Sequence, residues 1–81
     1  MLAEQKVKFT YPKNLLDQPL IYLLSQRFGL LTNILEARVT AEEGWLILFV
    51  RGDRERVRQG LDWMAEQGVQ VEVLAEVEEE E

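Results

Sequence analysis

Along residues 7–11 the chain alternates: Val7, Phe9 and Tyr11 are separated by Lys8 and Thr10. That period of two predicts a strand with one buried face. The turn-rich stretch PKNLLDQP follows, and then the period changes. Leu20, Leu23, Leu24 and Phe28 recur at helical spacing, with Ile21 widening the stripe. Asp17 is placed to cap this helix, with Pro19 in the first turn, where a missing N–H does no harm. Gly29 ends it, because glycine takes the left-handed conformation that other residues resist.

Residues 31–40, LTNILEARVT, and the run WLILFV are both β-rich and are separated by AEEG, which predicts a hairpin. WLILFV is apolar at both parities, as expected of an interior strand. Gly52 breaks it, and Asp53 is placed to cap a second helix with Val57, Leu61 and Met64 on its inner stripe and Gly68 at its end. Gly60, inside that helix, costs about 1 kcal/mol against alanine unless close packing needs the space. Val69, Val71 and Val73 then alternate with Gln70 and Glu72 as a last strand.

The element order is β-α-β-β-α-β. Right-handed crossovers and short connections make the ferredoxin-like split βαβ sandwich the simplest arrangement. It is an α+β fold in which two helices cover one face of a four-stranded antiparallel sheet of order 4-1-3-2. WLILFV then lies inside the sheet, beside residues 7–11. Its open face receives either Trp45, Ile47 and Phe49 or Leu46, Leu48 and Val50, and both sets are apolar. Such a patch commonly marks an interface, unless side chains such as Arg38 or a folded-back terminus cover it. With 81 residues the chain makes one domain with a thin core, so a homodimer is expected. Residues 1–75 form that domain, and 76–81, EVEEEE, are expected to be a disordered acidic tail.

Composition removes much chemistry. There is no cysteine and no histidine, which excludes disulfides, thiolate or imidazole metal sites and Ser-His-Asp or Cys-His catalysis within the chain. No catalytic residue, metal or cofactor is expected. Glu36, Glu42 and Glu43, and the helix acids Glu55, Asp62 and Glu66 with their neighbouring arginines, read as a solvated surface. GDRERVRQG lacks the Lys-Ser/Thr pair of a phosphate-binding loop. Fifteen acidic against nine basic residues give a net charge of −6. With no RNA-binding glycine–aromatic pattern, that charge argues against nucleic acid. No segment reaches the ~20 apolar residues of a membrane span, and the N-terminus lacks a signal peptide's apolar stretch, so a cytoplasmic location is expected.

One position stands out against this background. In LLTNILEA, residues 30–37, Asn33 interrupts an apolar run. By strand parity it shares a face with Leu31, Leu35, Ala37 and Val39, just beyond Gly29. There an amide can tie down backbone at the helix end. Alternatively, it can offer a donor and an acceptor together to an amino acid, whose α-ammonium and α-carboxylate need both.

At this point the chain resembles the NIL domains, named for the Asn-Ile-Leu present here as Asn33-Ile34-Leu35. The blocks QPLIYLLSQRFGL, LILFVRG and GLDWMAEQGVQVEVL extend the resemblance through nearly the whole chain. It implies an ACT-like ferredoxin fold, usually dimeric. It also implies kinship with the C-terminal regulatory domain of bacterial methionine-importer ATPases, which binds methionine and lowers transport. By position, the ligand role falls to Asn33, with Leu31, Thr32 and Ile34 as neighbours. The chain has no nucleotide-binding domain, so it is expected to be a stand-alone NIL protein or an excised domain. Two functions follow. One is a dimeric regulatory module that senses methionine or a related amino acid. The other is a ligand-free interaction module serving a transporter or a sulfur amino-acid biosynthesis protein.

Overall fold

A computed structural model describes residues 1–79, the side chains of 78 and 79 excepted. The elements are β1 (Leu2–Pro12), a short 3-10 helix (Lys13–Leu15), α1 (Leu20–Phe28), β2 (Leu31–Val39), β3 (Glu43–Asp53), α2 (Arg54–Glu66) and β4 (Gln70–Glu79). The sheet order is β2-β3-β1-β4 with every pairing antiparallel, which is the expected 4-1-3-2 order read from the other edge.

Strand β3 shows how the two apolar parities are used. Leu48 and Val50 are fully buried and Leu46 packs against the same core, so this set faces the helices. Trp45, Ile47 and Phe49 face the open side. From β1 the helix-facing set is Val7, Phe9 and Tyr11; α1 contributes Leu20 and Leu24, and α2 contributes Val57, Leu61 and Met64. This cluster carries the hydrophobic stabilisation, since burying each such side chain contributes about 1.5–3 kcal/mol.

The ends of the helices follow from particular residues. Gly29 takes φ 63°, and its N–H donates to the Ser25 carbonyl. The Ser25 hydroxyl donates to the Leu30 carbonyl at 2.6 Å, while the Leu30 N–H donates to the Ser25 carbonyl at 3.2 Å. The Asp53 carboxylate accepts from the Glu55 and Arg56 N–H groups at 3.1 and 3.3 Å, capping α2 as expected. Asp17 does not cap α1. Pro19 holds the cap position, no side chain bonds there, and the Pro19 carbonyl accepts from the Leu23 N–H at 3.0 Å. Asp17 lies three residues before Leu20, too early to reach the free N–H groups of the first turn.

Gly60 is buried where α2 crosses α1 and the start of β2. A methyl group there would meet Leu24 Cδ1 at 2.8 Å and Leu30 Cδ1 at 2.9 Å. Its lack of a side chain lets the helices approach.

Two β-bulges change which residues share a face. In β2 the register shifts between Ile34 and Glu36, leaving Leu35 as the extra residue. Beyond the bulge Glu36 and Arg38 turn to the open face, opposite Ile47 and Trp45, while Ala37 and Val39 turn to the helix face. The expected grouping of Asn33 with Leu35, Ala37 and Val39 therefore fails, because an inserted residue inverts parity. In β4 a shift opposite Lys6 and Val7 leaves Leu74 extra. The expected tail also differs: residues 76–79 continue β4 and pair with Leu2–Gln5, and 80–81 lie outside the described residues. The first residues of β1 supply the backbone partners that the sequence pattern could not show.

Candidate functional site

The four residues singled out in β2 do not converge. Asn33 and Leu31 point to the open face, opposite Phe49 and Arg51, whereas Thr32 and Ile34 point to the helix face, opposite Val50 and Leu48. Asn33 is exposed, and its carboxamide makes no hydrogen bond to another described residue. The backbone at the end of α1 is held by Ser25 instead. Asn33 is thus not a structural tie for the helix end, and both its donor and its acceptor face outward.

On the open face around it, Trp45, Ile47 and Phe49 form a half-buried band. Lys6 and Lys8 of β1 stand opposite Phe49 and Ile47, and Lys8 Nζ lies 5.0 Å from the centre of the Trp45 ring. Lysine stems therefore cover part of the band while their ammonium groups stay in water. This cover comes from β1, and Arg38 stands opposite Trp45 on the same face.

The other side of the sheet holds an apolar groove of about 220 Å³. One wall is the loop before α1 and its first turn: Leu16, Gln18, Pro19, Leu20, Ile21 and Tyr22. The opposite wall is the β2–β3 hairpin, with Ala37, Val39, Gly44 and Leu46, and Tyr11 of β1 lies between them. Gly44 keeps this region open to Leu16, since a methyl group there would meet Leu16 Cδ2 at 2.6 Å. Among the described residues no charged side chain lines the groove. Tyr11 is only 7 % exposed, and its hydroxyl oxygen is buried with no hydrogen-bond partner among the described residues. That desolvation pushes the phenol's pKa upward, so it stays a neutral donor. A buried polar group without a partner is uncommon and calls for an explanation.

Sequence reasoning missed this groove. The signal was present in part: Tyr11 is the one hydroxyl-bearing residue in the inward set of β1. Its walls, however, come from four separate segments, and the β2 bulge decides that Ala37 and Val39 join them.

A larger cleft of about 520 Å³ lies at the start of α2, lined by Gln5, Asp53, Arg54, Glu55, Arg58 and Glu76 among others. Its charges are largely engaged with one another: Arg58 pairs with Glu55 and, at 3.0 Å, with Asp62. The Arg58 guanidinium holds the Glu55 carboxyl below its ordinary pKa. Both side chains are exposed, in line with the solvated surface read from the sequence. Among the described residues no group of three or more acidic side chains is arranged to hold a metal ion, and no helix is long and apolar enough to cross a membrane.

The model of the NIL domain family matches residues 5–73. The chain belongs to the NIL domain family. Among known proteins, this NIL domain is similar to the Enterococcus faecalis methionine import ATP-binding protein MetN 1, 32% identical over 75 residues. That alignment covers 88% of this chain and 21% of the relative, so the NIL domain here spans about a fifth of that protein's length. Its backbone resembles the crystal structure of the C-terminal domain of an ABC transporter ATP-binding protein from E. faecalis, with TM-score 0.77 and 15% identity over 88% of this chain and 83% of that one. A de novo designed protein, Foldit4, has the same fold at TM-score 0.63 and 13% identity, covering 99% of this chain and all of the design. At these identities the structural likeness bears on the fold alone, and it agrees with the ferredoxin-like sandwich.

Proposed function

We propose that this NIL domain is a regulatory module that binds methionine or a closely related amino acid, acting as a homodimer in the cytoplasm. The observation that carries the reading is the groove beside α1: an uncharged, apolar site in a chain whose relative is named for methionine import. An apolar cavity of about 150 Å³ accepts benzene. A groove of about 220 Å³ is therefore roomy enough for an unbranched thioether chain. Because no charge lines it, the ligand's α-ammonium and α-carboxylate must stay at the mouth.

Asn33 carries groups of the kind those charges need, but it does not reach the groove within one protomer. It lies four residues from Ala37, about 13 Å along the strand, and points to the opposite face. In this reading the Trp45–Ile47–Phe49 band is the dimer's apolar contact, and Asn33 lies at that seam on the same open face, where it acts on the arrangement of the two protomers. Leu31, Thr32 and Ile34 act by positioning that strand. Ligand occupancy then favours one arrangement of protomers, and a transporter or sulfur-metabolism partner senses the shift.

A ligand-free interaction module is the second reading, favoured by the exposure of Leu31, Ile34 and Val39 along the β2 edge. Thermal unfolding separates the two. Methionine at a hundred times its Kd should add about 2.7 kcal/mol of apparent stability, and Asn33→Ala should weaken that effect. No stabilisation by methionine or homocysteine rejects the ligand reading in favour of the interaction module. A monomer in sedimentation at high concentration, with methionine present, rejects the dimer.

A further inference from the structure

We infer that the free edge of β2 is self-complementary and joins a second copy of this chain, β2 pairing antiparallel with β2 about Ala37 so that the two sheets continue as one. This contact goes beyond the homodimer through the open faces: it uses a different surface and does not depend on a ligand.

The hairpin decides which main-chain groups are available. The Thr40 N–H donates to the Glu43 carbonyl at 2.8 Å, so that pair bonds inward. By the alternation of an antiparallel ladder, Arg38–Trp45 and Glu36–Ile47 do the same. The N–H and C=O groups of Ala37 and Val39 therefore point away from β3. On that side β2 is the outermost strand, and Leu35, Glu36, Ala37, Arg38 and Val39 are all exposed.

Self-pairing about Ala37 lets the two Ala37 residues exchange both hydrogen bonds. It sets Glu36 opposite the partner's Arg38, and Arg38 opposite the partner's Glu36. Directly opposite residues share a side of the sheet, and both of these lie on the open face. The same register brings Leu35 to the partner's Val39, apolar against apolar. Moving the centre by one residue sets Glu36 against Glu36 or Arg38 against Arg38, so charge selects this register over its neighbours. Neither side chain has an ion partner among the described residues of its own chain. The opposite edge of the sheet behaves differently. Strand β4 carries Glu72, Glu76, Glu78 and Glu79 and no lysine or arginine, so like charges guard it against self-pairing. Ala37 and Val39 also line the groove beside α1, so the partner's β2 runs along that groove's outer wall.

The test reverses one charge at a time. Arg38→Glu sets glutamate against glutamate at both places, and Glu36→Arg sets arginine against arginine. An equimolar mixture of the two variants restores opposite charges at both. Sedimentation equilibrium compares the wild type, each variant and the mixture near physiological salt. There the repulsion between chains of net charge −6 is largely screened beyond ~8 Å. Circular dichroism checks each fold. Each single variant should show one association step weakened about tenfold or more, and the mixture should recover most of that loss. Single variants that associate as tightly as the wild type, or a mixture no tighter than its components, overturn the edge pairing and leave the open-face dimer standing. A wild type that stays monomeric at high concentration overturns both.

Discussion

Replacing Gly60 by alanine opposes two effects that the structure allows to be weighed. Alanine is about 0.8–1.0 kcal/mol better than glycine inside a helix, so local propensity alone says the variant is stabilised. The new methyl group, however, would stand 2.8 Å from Leu24 Cδ1 and 2.9 Å from Leu30 Cδ1. Both leucines are buried, at 0 and 1 % exposure, so neither can swing into solvent. Overpacking of this kind costs roughly 1–3 kcal/mol. The sum is a loss of about 0–2 kcal/mol, which lowers Tm by up to roughly 16 °C in a domain of this size. Urea denaturation measures it, and a second substitution locates the cause. Leu24→Val alone costs about 1 kcal/mol, but it withdraws the atom nearest the new methyl. In that background Gly60→Ala should be less harmful than in the wild type, with a coupling of at least about 0.5 kcal/mol. A gain of about 1 kcal/mol in the wild-type background, or strict additivity with Leu24→Val, refutes the claim that Gly60 is there for helix–helix approach.

Asp53→Ala removes the acceptor of two N–H groups at the start of α2 and should cost about 1 kcal/mol in chemical denaturation. Asn33→Ala should change stability by no more than about 0.5 kcal/mol, because its carboxamide bonds no described residue; a loss of about 2 kcal/mol, the mark of a broken buried hydrogen bond, contradicts the outward position of that side chain. Tyr11→Phe removes an unpaired buried hydroxyl and should raise ligand-free stability at neutral pH by roughly 1 kcal/mol. The same variant should change the alkaline limb. Burial raises the Tyr11 pKa above its unfolded value of about 10, so folding holds the proton that the unfolded chain gives up. Its contribution is complete below about pH 10 and is lost as pH rises further, so the wild type should lose more stability than Tyr11→Phe between roughly pH 9.5 and 11.

The order of elements was legible because each change of hydrophobic period is bounded by a residue with a mechanical role, Gly29 and Asp53 above all. Sheet order followed, since only an interior strand explains apolar residues at both parities of β3. Four things were hidden for physical reasons. A bulge such as that at Leu35 leaves no mark in composition, yet it inverts every side chain beyond it, so Asn33 was grouped with the wrong neighbours. Asp17 has the right chemistry for a cap, but chain geometry set the helix start at Pro19. The groove is a tertiary object, and an alternating Tyr11 looks the same whether its hydroxyl is bonded or orphaned. The extension of β4 into the acidic run was equally invisible, because backbone pairing with Leu2–Gln5 does not depend on side-chain type.

Whether the groove beside α1 takes an amino acid is tested most directly by amide chemical-shift mapping of the isotope-labelled chain during titration with L-methionine. Saturable shifts should cluster at Tyr11, Ile21, Tyr22, Gly44 and Leu46, with a second set around Asn33 at the dimer seam that occupancy rearranges. Spectra that do not change at saturating methionine, or shifts confined to the charged cleft at the start of α2, contradict ligand binding in the groove.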